Sequence, residues 1–65
     1  MPEEILRRYE LVKRYAQGER NFTDINLTEV NLSKMNLSQS NFSSANLFVS
    51  NLSGANLSES NFSKA

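Results

Sequence analysis

At 65 residues the chain has room for one domain and sits near the size at which a core can barely support itself. It has neither cysteine nor histidine, so a disulfide framework, a thiolate metal site and the usual nucleophile and base pairs are missing. Seven basic and seven acidic residues cancel to a formal net charge of zero, which leaves no electrostatic footprint for nucleic acid, and no apolar run approaches a membrane span.

The opening Met1-Pro2-Glu3-Glu4 is acidic where a secretory signal would be basic, so the expected location is cytoplasmic. Residues 1–19 read as an amphipathic helix. Pro2 suits a first helical position, Glu3 and Glu4 complement the positive end of the dipole, Arg14 lies near the other end, and Gly18 is a stop signal. Ile5, Tyr9, Val12 and Ala16 fall on one stripe, flanked by Leu6 on one side and by Leu11 and Tyr15 on the other. This stripe is expected to be buried against the open end of the structure that follows, making the helix a cap; a docking helix for another protein is the alternative use. Membrane-surface binding through Arg7, Arg8, Lys13 and Arg14 is opposed by Glu3, Glu4 and Glu10.

Across residues 20–65 an asparagine returns every five positions, from Asn21 to Asn61, nine times without a break, each followed by Phe or Leu. A period of five matches neither a helix nor a strand, so it must be a tertiary period: a coil in which each pentapeptide makes one short side and turns a corner. The coil size is also written in the chain. Phe22, Phe42 and Phe62 are twenty residues apart, which is four pentapeptides, and a four-sided coil stacks the three rings in one column. The same register places Leu27 on Leu47, Leu32 on Leu52 and Leu37 on Leu57. Asn suits tight turns and can bond nearby backbone, so one Asn per corner is expected, with stacked columns such as Asn21, Asn41 and Asn61 adding bonds between coils. The frame also generates eight formal glycosylation sequons as a by-product of the repeat.

Arg20 to Ala65 resembles the pentapeptide-repeat family, whose motif is commonly Ala, Asp or Asn, Leu and two freer positions. Ala45-Asn46-Leu47 and Ala55-Asn56-Leu57 fit its first three positions in full. The resemblance implies an all-β solenoid: a right-handed quadrilateral β-helix of about two and a quarter coils, with the central residue and the residue two before it pointing inward, capped by the N-terminal α-helix. The stretch from Tyr15 to Phe22 looks like the helical lead-in of cyanobacterial members. At the remaining inward positions bulky Ile25, Val30 and Met35 precede Ser40, Ala45, Ser50, Ala55 and Ser60, and the serines need backbone partners where buried. Arg20, at the first inward position, is expected at the rim with Glu19 or Asp24 as its partner.

The outward positions carry Ser or Thr and then a free residue, except that Phe48 and Val49 replace the polar pair. Two adjacent apolar side chains should therefore stand on the outside of the second coil beneath Thr28 and Glu29, a candidate protein contact. The frame stops at Ala65, and the bare coil end beside Phe62 is expected to stack on a second copy or on a partner. Glu29, Asp24 and Glu59 show no convergence and no glycine-rich phosphate loop occurs, so no enzyme, cofactor or small-molecule substrate is expected. The favoured role is a structural or protein-interaction module. The alternative implied by the resemblance is a DNA mimic that binds a type II topoisomerase, which the neutral charge and the short stack disfavour.

Overall fold

A computed structural model places every residue from Met1 to Ala65. One helix, α1 (Glu3–Ala16), is followed by nine turns that wind a square coil. Pro2 stands just before the helix rather than inside it, and its carbonyl accepts the first bonds, from the amides of Ile5 and Leu6. The exit is a Schellman turn: the Gly18 amide bonds the Tyr15 carbonyl, the Glu19 amide bonds the Arg14 carbonyl, and Gly18 supplies the φ of +97° that this closure requires.

Each pentapeptide spends four of its residues on a turn, from the central Phe or Leu to the next inward residue. In eight of the nine turns the amide of the last residue bonds the carbonyl of the first, as in Ile25 to Phe22 and Val30 to Leu27. The third residue of every turn has φ between 59° and 70°, the left-handed conformation that a type II turn needs. These residues are Asp24, Glu29, Lys34, Gln39, Ser44, Val49, Gly54, Glu59 and Lys64, so the demanding conformation falls on the free position rather than on Asn. Asn does a different job. In all nine repeats its Oδ1 accepts the amide of the residue two positions on, at 2.9–3.3 Å. The side chain is thus spent inside its own repeat, and it is the main chain of Asn that bonds between coils.

The coils are joined by parallel bridges at Asn21–Asn41, Asn26–Asn46, Asn31–Asn51, Asn36–Asn56 and Asn41–Asn61. Around each, the amide of Asn donates to the inward residue's carbonyl in the coil before, and its own carbonyl accepts the amide of that coil's central residue, as Asn41 does with Arg20 and Phe22. The register is twenty residues, or four sides per coil. With most of each pentapeptide used by the turn, a side has a single bridging residue instead of a strand several residues long. Inside, Phe22, Phe42 and Phe62 stack with ring centroids 5.3 and 5.1 Å apart. Phe22, Phe42, Leu27, Leu32 and Leu37 are buried, whereas Leu47, Leu52, Leu57 and Phe62 one coil below are half-buried.

The turn from Leu37 to Ser40 is built differently. Its own closing bond is replaced by the Ser60 hydroxyl, which accepts the Ser40 amide at 3.2 Å and donates to the Leu37 carbonyl at 2.9 Å. Ser60 finds its backbone partners in this way, but the Ser40 Oγ is buried with none.

The helix lies across the first coil with the opposite face from the one its apolar stripe suggests. Leu11 alone is fully buried, joining the cluster of Phe22, Leu27, Val30, Leu32 and Leu37, while Ile5, Tyr9, Val12 and Ala16 are exposed. The reason lies in the coil's upper rim, which presents carbonyls rather than side chains. One carbonyl on each of the four sides is met by a helix donor: Asn21 by Arg14, Thr28 by Arg7, Asn31 by Arg8 and Ser38 by the Tyr15 hydroxyl. Unmet carbonyls at a buried edge are costly, so the cationic face docks and the apolar face is left outside. Arg20 also departs from expectation: its guanidinium lies 3.5 Å over the Tyr15 ring and donates to the Tyr15 and Glu19 carbonyls, while the Glu19 carboxylate pairs with Arg14.

Two substitutions test this packing by thermal or chemical unfolding. Phe42→Ala, between two stacked rings, is expected to cost about 3–5 kcal/mol and to unfold the domain at ordinary temperatures; a melting temperature within a few degrees of the native value contradicts the column. Ser40→Ala removes an unpaired buried hydroxyl and is expected to stabilise the fold by about 1 kcal/mol.

Candidate interaction surfaces

Phe48 and Val49 occupy the second and third residues of the turn that starts at Leu47. The amide of Phe48 is held by the Asn46 side chain, and its carbonyl accepts the Glu29 amide, so the pair sits directly below Thr28 and Glu29 on the outer wall. Nothing covers it: Phe48 is 71% and Val49 67% exposed. Val49 is also strained, because its φ is 62° and a β-branched side chain in the left-handed region is crowded against its own backbone. The equivalent position holds a polar residue or glycine in each of the other eight turns. An exposed, strained, apolar residue in a position that polar residues fill elsewhere gives the fold nothing through burial.

A second apolar surface is the outward face of α1. Met1, Ile5, Leu6, Tyr9 and Val12 line a shallow groove with Arg8 at its edge, and all five are exposed, Tyr9 at 59%. The sequence pattern located this stripe but assigned it to the core. Its exposure follows from the carbonyl rim, which no hydrophobic periodicity reports. Phe62 belongs to neither surface. It turns inward below Phe42, on the side adjacent to that of Phe48, so the structure does not gather Phe48, Val49 and Phe62 into one patch.

Charge is sparse and dispersed. Glu3 pairs with Arg7 at 2.7 Å, Glu19 with Arg14 at 2.9 Å, and no group of three or more acidic or metal-ligating side chains forms anywhere. Both ion pairs are solvent-facing and worth at most about 1 kcal/mol each. Three of the helix cations, Arg7, Arg8 and Arg14, are turned to the coil carbonyls, and no helix is long and apolar enough to cross a membrane.

A stack of five-residue sides in twenty-residue register defines a pentapeptide-type repeat protein. The family model for pentapeptide repeats matches residues 21–47 and 50–65 in eight copies, and the chain belongs to the pentapeptide-repeat family. Pentapeptide repeats generally form a right-handed quadrilateral β-helix, and such proteins are generally non-enzymatic structural or protein-interaction modules. The two residues skipped between the matched segments are Phe48 and Val49. No curated protein and no solved structure matches the chain.

The strain at Val49 is measurable. Val49→Asn, which tolerates left-handed φ, is expected to raise unfolding stability by about 1 kcal/mol, read as a higher denaturant midpoint at unchanged slope. A lower midpoint would mean that Val49 contributes to the fold after all.

Proposed function

We propose that this chain is a non-enzymatic interaction module, a short rigid block that docks on a protein partner in the cytoplasm through its outer wall. In this reading residues 20–65 form a right-handed quadrilateral β-helix of about two and a quarter coils, and residues 1–19 are its cap. The observation that carries the proposal is the Phe48–Val49 pair, apolar and exposed where the other repeats are polar or glycine, with Val49 held at a strained φ. Strained backbone kept at the surface marks positions held for something other than stability, and an aromatic beside a branched aliphatic is suited to filling a partner's pocket. The lower coil is the second contact in this proposal. There Leu47, Leu52, Leu57 and Phe62 are only half-buried, open to the same partner or to another copy.

The test replaces the pair by the polar residues typical of the repeat. Phe48→Ser with Val49→Gln is expected to fold at least as stably as the native chain. In quantitative affinity capture from the source cells it should lose a specific protein by about tenfold or more. Equal retention of every captured protein by the native and substituted chains would overturn the assignment of the wall.

A further inference from the structure

We propose that the outward face of α1 is a self-pairing surface: two copies associate helix to helix, in antiparallel order, with the coils on opposite sides of the helix pair. The inference does not depend on the Phe48–Val49 wall.

The first ground is the seam itself. Ile5, Tyr9, Val12 and Ala16 follow one another at intervals of four, three and four, which is the coiled-coil interval, and the series reads the same in both directions. Rotated about an axis between positions 10 and 11, the seam meets itself. Tyr9 then lies opposite the second copy's Val12, and Ile5 opposite its Ala16, so each contact sets a larger side chain against a smaller one. All four seam residues are exposed, and the face they share points away from the face that holds Leu11 and Arg14 on the coil. A second chain can therefore approach without displacing the docked contacts.

Charge fixes the direction. Leu6 and Lys13 flank the seam on one side, Arg8 and Tyr15 on the other. Parallel pairing would set Arg8 beside the second copy's Lys13 at both edges, opposing like charges twice. In antiparallel pairing each edge meets its own kind. Leu6 faces Lys13, whose aliphatic stem covers it while the ammonium stays in water, and Arg8, held on the Asn31 carbonyl, stays on the edge opposite to Lys13. The two helix dipoles are also opposed in this order.

Size sets the strength. A 14-residue helix gives a strip about 21 Å long and one helix wide, smaller than the roughly 800 Å² per partner of a standard stable interface. The pair is therefore a weak dimer whose population depends on protein concentration.

The experiment has two arms on the full-length chain. Sedimentation equilibrium over a concentration series should show the native mass rising from 7.4 kDa toward twice that value, and Val12→Glu, at an exposed position, should stay monomeric with an unchanged melting curve. Because the chain has no cysteine, Ile5→Cys with Ala16→Cys introduces the only thiols. Those positions are about 16 Å apart along one helix, too far for a bond within a chain. Mild oxidation should link position 5 of one copy to position 16 of the other, while either single variant stays largely reduced. Native protein that remains monomeric at the highest concentration overturns the proposal. So does mass growth that Val12→Glu leaves intact, which would place association on the wall or lower coil, or a dominant link between the two copies of position 5.

Discussion

The carbonyls on the upper rim of the first coil decide how the rest of the molecule is arranged. In a stack of coils each layer supplies donors to the carbonyls of the layer that follows it. The first layer has no predecessor, and the carbonyls that point up from its rim must find donors elsewhere. Here the donors are three arginines and a tyrosine of one helix, one for each side of the square, with Leu11 set over the middle of the core. This is a polar interface around a single apolar plug. It explains why so short a helix carries so many arginines although the chain as a whole is neutral.

The stack was legible in the sequence because its signal is redundant. Nine Asn-Leu or Asn-Phe steps state the side length, and three phenylalanines twenty residues apart state the coil size, independently of each other. The face used by the helix was not legible. Reading an apolar stripe as the buried face assumes that the receiving surface is apolar, and at the end of a coil it is made of backbone. The bonding of Asn to nearby backbone was legible as well, and in every repeat its Oδ1 holds the amide two residues on, but the bonds between coils come from its main chain rather than from stacked side chains. Which position takes the left-handed φ, that of Asp24, Glu29 and their equivalents, is not written in the pentapeptide pattern. Among the candidate contacts, the exposure of Phe48 and Val49 followed from their place in the frame. The strain at Val49 did not, since it depends on which position of the pentapeptide bends backward.

These assignments separate the layers of the repeat by task. The inward residues carry burial, Asn closes the local turn, its main chain joins the coils, and the two remaining positions face solvent. Asp, Glu, Lys, Gln, Ser, Val and Gly all occupy the same backward-bending position with almost the same φ. The outer wall can therefore change its chemistry without disturbing the core, and an apolar pair such as Phe48–Val49 can be placed on it at a local cost of about 1–3 kcal/mol in backbone strain.

The long-range bonds of the molecule span nearly uniform distances in sequence. Arg7 reaches Thr28 across 21 positions, Tyr15 reaches Ser38 and Ser60 reaches Leu37 across 23, and Ser40 meets Ser60 across 20. Loop-closure entropy changes only slowly with length, so laying the helix on the first coil and adding each further side are steps of nearly equal entropic cost. During synthesis a side could close as soon as about twenty further residues have emerged, and assembly could run steadily from the amino end without waiting for the chain to be finished.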